Sequence, residues 1–385
     1  MFRKILFWSH LVCGVATGIV ILTMSFTGVV LMYERQIEQW VAEQRYVPAA
    51  EQGERLPLEQ LILIQKTRQP DVAASTMTLS PDPGAPVGFR AGRRGGIQLN
   101  PYTGEPMEME SPALSSFFGW MTRFHRWFNI EGENRAVARQ VTGVSNVAFL
   151  FLVISGMYLW LPKLWKWGMF KVRLLFRGSY PNSKARDFHW HHIFGIWAAI
   201  PLLAVVYTGA VISYPWAANL MYVAFGAEVP APRGGTGGGQ QPAVDEVGTL
   251  GSAPSAQPLA LDTLVAVAIA ESGTDWNRLN VSLPEAGDTQ LDVEIDRGNG
   301  AQAHKRHTLS LDRSTGDVVG VRTFADTPKS SQLRGIARFL HTGEVLGFWG
   351  QTIAGLASFA ALFMVWTGFA LSWRRLIQPL FRRKS

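Results

Sequence analysis

Residues Ile5–Tyr33 read ILFWSHLVCGVATGIVILTMSFTGVVLMY, without one Asp, Glu, Lys or Arg. A hydrocarbon core of about 30 Å needs about 20 apolar residues in a helix, so this stretch reads as a membrane span. Three others match it: Gly143–Pro162, Ile193–Tyr214 and Gly350–Trp373, again without acidic or basic side chains. The expected architecture is a membrane all-α four-helix bundle.

Composition agrees. Hydrophobic residues make up 47% of the 385 positions and charged ones only 17%, and 14 Trp suit aromatic belts at two membrane interfaces. The basic residues set the orientation. Arg3 and Lys4 precede the first span. Lys163, Lys166, Lys171, Arg173, Arg177, Lys184 and Arg186 lie between the second and third. Arg374, Arg375, Arg382, Arg383 and Lys384 follow the fourth. Only Asp187 opposes them, although the whole chain is just +7. The positive-inside rule therefore places both termini and the 163–191 loop in the cytoplasm. The basicity needs no nucleic acid to explain it. The apolar run at the start is too long for a secretory signal and reads as a retained anchor.

Two long segments then face the opposite side, 34–142 and 215–349. Each shows an amphipathic helical stretch followed by short strands. In the first these are Leu58–Gln65 and a hairpin over Gly95–Met107. In the second, Leu259–Ser272 is helical, while Asn280–Leu283, Gln290–Ile295, Arg306–Leu311 and Val318–Thr323 alternate as strands do. A turn phrase recurs, Leu99-Asn-Pro-Tyr-Thr-Gly104-Glu and Leu311-Asp-Arg-Ser-Thr-Gly316-Asp. The expectation is two outer α+β domains, the second over 259–349, and an internal duplication. Gly234–Gly239, running into Gln240–Pro258, reads as a disordered linker.

The spans repeat too. His10-x3-Gly14-x12-Thr27-Gly28 returns as His191-x3-Gly195-x12-Thr208-Gly209, and Gly143-x12-Gly156 as Gly355-x12-Gly368. A histidine precedes each even span, in Phe124-His125-Arg-Trp-Phe128 and Phe339-Leu-His341. Helical spacing puts His10, Gly14 and Gly28 on one face, and His191, Gly195 and Gly209 likewise. Glycine beside an intramembrane histidine leaves room for a large flat ligand, and two facing imidazoles suit haem iron. The same glycines also suit plain helix packing, for which Gly14-x3-Gly18 is a motif in its own right. Four histidines in two matched pairs favour haem: an inner pair, His10 and His191, and an outer pair, His125 and His341. His192 is the alternative to His191. From His341 to Arg374 a helix would run about 50 Å, longer than the core, so the outer pair sits at or just beyond the outer interface unless the helix breaks, for which Gly132 and Gly343 are the candidates.

Cys13 is the only cysteine, which excludes thiolate metal clusters and the C-x-x-C-H of covalent haem. Two noncovalent b-type haems are expected. No G-x-G-x-x-G or P-loop is present. His304-x-x-His307 falls in a strand region where the two would face oppositely. Arg90, Arg93 and Arg94 read as an exposed, charged hairpin.

These features together resemble the PepSY-associated transmembrane proteins over nearly the whole chain, and within them the inner-membrane ferric-siderophore reductases of the FoxB type. The resemblance implies a bacterial inner-membrane oxidoreductase that passes electrons through two haems to a ferric siderophore and releases the iron. The electron donor would be external, a quinol or a cytoplasmic reductase. Two other readings remain: a non-enzymatic membrane protein that binds or regulates a partner, and a permease moving the intact chelate.

Overall fold

The computed structural model describes residues 1–45, 53–92, 96–108, 111–162, 166–230, 257–285 and 287–382. In chain order the helices and strands begin with α1 (Phe2–Leu31), α2 (Glu34–Glu43), α3 (Leu58–Arg68), β1 (Thr76–Leu79), β2 (Val87–Arg90) and β3 (Gly96–Leu99). There follow α4 (Pro112–Trp127), α5 (Asn134–Trp160), α6 (Trp167–Leu174), α7 (Ser183–Ser213) and α8 (Pro215–Ala224). The second half continues with α9 (Leu261–Ser272), β4 (Arg278–Ser282), β5 (Gln290–Asp296), β6 (Arg306–Asp312), β7 (Val318–Thr323), α10 (Lys329–His341), α11 (Gly347–Leu376) and α12 (Gln378–Arg382). They form two compact units. One is helical, comprising 1–37, 112–226 and 336–385; the other comprises 38–111 and 227–335.

In the helical unit four runs are long and apolar enough to cross a membrane: Phe2–Glu43, Asn134–Trp160, Ser183–Ser213 and Glu344–Phe381. α1 packs on α5 and α11, and α7 packs on the same two. Directions alternate. The start of α1 meets the end of α5, where Arg3 donates to the carbonyls of Leu159 and Leu161 at 2.7 and 2.9 Å. These are C-terminal carbonyls without helical donors, and a cation is their natural cap. The start of α7 meets the end of α11, where buried Asp187 accepts from Arg374 at 2.6 Å and from Arg186 at 3.0 Å. Small residues allow close approach between α7 and α11: Ala198, Ala357 and Ala361 pack with Leu202. At Gly355 a Cβ would overlap the sulfur of Met32, so a side chain there would force Met32 to move where α1 and α11 cross.

Two spans are longer than their apolar cores. α5 begins at Asn134 and α7 at Ser183, so the expected 163–191 loop is corrected: its last nine residues are helical. Asn182 caps that helix, its Oδ1 accepting from Ala185 N at 2.9 Å. Charged and aromatic side chains hid the helix from a hydropathy reading, because a helix does not end where a bilayer does. Similarly, 112–142 and 336–349, assigned above to the outer domains, belong to the helical unit. The proposed breaks are present. Gly132 and Gly343 have φ of +66° and +77° and separate α4 from α5 and α10 from α11.

The second unit corrects the expectation of two separate outer domains. All strands join one antiparallel sheet in the order β3-β2-β1-β4-β5-β6-β7. The junction is β1 with β4, in register Thr76↔Ser282, Met77↔Val281 and Leu79↔Leu279. A three- or four-stranded half would expose an edge at β1 or β4, and pairing those edges removes both. The strands alternate buried and exposed positions. Met77, Phe89, Leu279, Val281, Val293 and Leu311 form the core together with Leu61 of α3 and Leu264 of α9.

The Gly95–Met107 hairpin is reduced to β3 and a single bridge, Leu99↔Pro106. The paired turn phrases adopt one geometry. Asn100 Oδ1 accepts from the amides of residues 102 and 103, and Asp312 Oδ1 from those of 314 and 315. Each turn closes on a glycine with positive φ, Gly104 at +69° and Gly316 at +80°, a conformation that side chains other than Gly disfavour. The linker Gly234–Gly239, and Arg93 and Arg94, lie outside the described residues.

Candidate functional site

The sequence pointed to His10, His191, His125 and His341. The alternating directions of the helices bring them to opposite ends of the bundle, two at each. His10 lies near the start of α1 and Thr27 near its end, about 25 Å apart at 1.5 Å per residue. His191 is within electrostatic reach of His10. At the other end the rings of His125 and His341 lie 6.4 Å apart between centroids, at 60° to each other. Two imidazoles that shared one metal, at about 2 Å per metal–nitrogen bond plus the ring radii, would have centroids up to about 6 Å apart. The outer pair therefore has the spacing of two ligands on one iron.

Each ring is held through Nδ1. His10 Nδ1 lies 2.8 Å from Ser155 Oγ, His191 Nδ1 3.0 Å from Thr367 Oγ1, and His125 Nδ1 2.7 Å from Thr27 Oγ1. A hydroxyl has one hydrogen, and here it is already committed. Ser155 donates to Phe151 O at 2.6 Å, Thr367 to Phe363 O at 2.7 Å and Thr27 to Thr23 O at 2.8 Å. The hydroxyls can then only accept from the histidines, so each Nδ1 carries the proton and each Nε2 presents a bare lone pair. For His341 the partner is the Val205 carbonyl at 2.8 Å, which accepts by nature. Fixing Nδ1–H in this way orients an imidazole and leaves Nε2 as a metal ligand. At the outer pair, burial, reinforced by the adjacent His341 and by Arg126, pushes His125 down to about 4, and burial lowers His341 as well. Both rings are neutral at physiological pH, the form that binds metal.

The glycines are distributed differently from the sequence reading. A Cβ on Gly156 would lie 3.4 Å from His10 Cε1, and one on Gly368 3.6 Å from His191 Cε1. One on Gly28 would lie 3.8 Å from His125 Cε1, and one on Gly209 3.2 Å from His341 Cε1. So Gly28 and Gly209 serve the outer pair, whereas they were placed on the faces of His10 and His191. Gly14 and Gly195 face Leu152 and Met364. Sequence reasoning missed Ser155 and Thr367. The available signal is a hydroxyl–glycine dipeptide once per span: Thr27-Gly28, Ser155-Gly156, Thr208-Gly209 and Thr367-Gly368. Three of the four hydroxyls hold a histidine. Thr208 does not; it donates to Ala204 O at 2.7 Å.

The other histidines are placed otherwise. His189 spends both ring nitrogens, on Tyr180 Oη and Val172 O, each at 2.8 Å. His192 bonds the Phe188 carbonyl one turn back on its own helix and lies against the Phe188 ring. Of His191 and His192, it is His191 that has the same kind of hydroxyl partner as His10. His304 sits on a 3-10 turn and His307 in β6 opposite Thr323. Among the described residues no group of three or more His, Cys, Asp or Glu gathers as it would around a bare ion. The chain builds imidazole pairs instead.

None of the curated proteins matches the chain. The model of the PepSY-associated TM region, however, matches residues 7–384, taking in every histidine described above and all but the first residues of the first span, and the chain belongs to that family.

Proposed function

We propose that the protein is a two-haem transmembrane electron carrier that reduces a ferric chelate of the siderophore class. Its ligands are His10 with His191 for the inner haem and His125 with His341 for the outer one. The observation that carries this reading is the common arrangement of the four rings: Nδ1–H committed, Nε2 bare and a glycine against the Cε1 edge. Haem bound by two neutral imidazoles supplies reversible one-electron chemistry.

The remaining work belongs to the chain. The hydroxyl partners of three rings and the Val205 carbonyl at the fourth keep each ring in one tautomer and one orientation. A glycine lies against the Cε1 edge of each ring, where a Cβ would come within 3.2–3.8 Å. The spans hold the two pairs near opposite faces of a bilayer, with the basic ends in the cytoplasm, so that electrons from a quinol or a cytoplasmic reductase leave on the outside. Reduction loosens the chelate, because hard oxygen ligands hold Fe³⁺ better than the less charged Fe²⁺. The matched turns, spans and histidines support descent from one duplicated unit.

The test is a haem count on the purified full chain, with reduced-minus-oxidised spectra. Two haems per chain are expected. His191→Ala should remove one and leave the other. A count of zero, or the same loss from His192→Ala and none from His191→Ala, would refute the assignment.

A further inference from the structure

Around the outer histidine pair the helical unit gathers four arginines. Arg126 follows His125 directly on α4. Arg135 and Arg139 are one turn apart at the start of α5, and Arg338 is one turn before His341 on α10. The guanidinium carbons of Arg126 and Arg135 lie 4.9 and 4.2 Å from the centre of one ring, that of buried Trp127. Arg139, Arg135 and Arg338 all lie within electrostatic reach of the Arg126 guanidinium.

Among the described residues, none of the four has an ion-pair partner. Among the described residues Glu131 and Glu133, in the turn between α4 and α5, make no ion pair either. Glu344, just past His341, is taken by Arg35 and by the Thr342 hydroxyl. At the other end of this unit Arg186 and Arg374 are matched by Asp187. A cluster of positive charge at the end opposite the basic segments also runs against the bias that orients the chain. Like charges held this close repel, and a bound anion relieves that repulsion.

We propose that Arg126, Arg135, Arg139 and Arg338 form the docking patch for an anionic iron chelate, one whose iron is held by catecholate or carboxylate oxygens. This rests on the reduction reading above and adds the charge class of its substrate. Guanidinium forks match paired anionic oxygens and stack on flat rings. The same patch repels cationic chelates and gains nothing from neutral trihydroxamates. It sets the chelate beside His125 and His341, where the electron is delivered.

Binding is separated from reduction by gallium(III), which copies the charge of ferric iron but is not reduced under these conditions. The full-length protein is titrated calorimetrically with the trianionic gallium tris-catecholate and with a neutral gallium trihydroxamate. The trianion should bind at least about tenfold more tightly, and Arg135→Gln/Arg338→Gln should erase the preference without lowering the haem count. Equal affinities in the wild type, or a preference untouched in the variant, would overturn the proposal. So would a variant that loses haem along with the preference, since the arginines would then serve haem carboxylates. A variant that loses binding to phosphatidylglycerol nanodiscs but keeps its chelate preference would assign the patch to lipid, which also overturns it. A protein that reduces chelates without regard to charge fails this inference alone, whereas one without haem fails the reading beneath it.

Discussion

Four single hydrogen bonds decide which nitrogen each histidine offers. Ser155 is the clearest case, because its hydroxyl proton goes to Phe151 O and leaves only an acceptor for His10. Ser155→Ala removes that acceptor and keeps nearly the same volume. On the proposed two-haem reading the inner haem should bind about 10- to 100-fold more weakly, read by haem transfer to apomyoglobin, with the outer haem unaffected. Ser155→Thr should restore most of the loss. Acid acts at the same scale. The folded-state value of His125, about 4, lies below its unfolded value near 6.5. Between those values the unfolded chain takes up a proton that the folded chain refuses, so stability falls as pH drops through the window and is unaffected above it. Thermal melts of haem-free protein between pH 7 and pH 4 should show a progressive loss that His125→Gln lessens. A pH-independent melt would contradict the burial of that ring.

At the scale of helices, glycine sets how closely the spans approach. Gly355 admits the Met32 sulfur where α1 crosses α11. Gly355→Ala should cost about 1–3 kcal/mol from overpacking, visible as a lower melting temperature. Met32→Ala in the same chain should recover much of that, because the two changes share one contact. Additive losses would mean that the crossing is not the source. Several elements were legible beforehand: the cores of all four spans, the helices α3 and α9, and the strands β4 to β7, whose alternation is clear in the sequence. The added turns at the start of α5 and α7 were not. Hydropathy measures contact with lipid, and Asn134–Thr142 and Ser183–His192 are helical without being apolar.

For the sheet unit, the join between β1 and β4 makes one cooperative body out of two sequence segments. Val281 is fully buried there, opposite Met77. Val281→Asp places an unpaired carboxylate in that core, at a cost of several kcal/mol. Hydrogen exchange should then quicken in β2 and β6 alike. Faster exchange confined to β4–β7 would mean that the two halves fold separately.

The sequence by itself determined the spans, their alternation, the turn chemistry at Asn100 and Asp312 and the identity of the candidate histidines. Each of these rests on local rules: apolar length, strand period, and side chains that bond to their own backbone a few residues on. The tertiary structure decided what depends on distant partners. It paired β1 with β4 across about 200 residues of chain. It assigned Gly156 to His10 and Gly28 to His125, because antiparallel helices set a glycine beside a histidine of a neighbouring helix rather than its own. It also set each imidazole on a hydroxyl or a carbonyl from another helix, and that contact, which no spacing along one helix encodes, fixes which nitrogen is left bare.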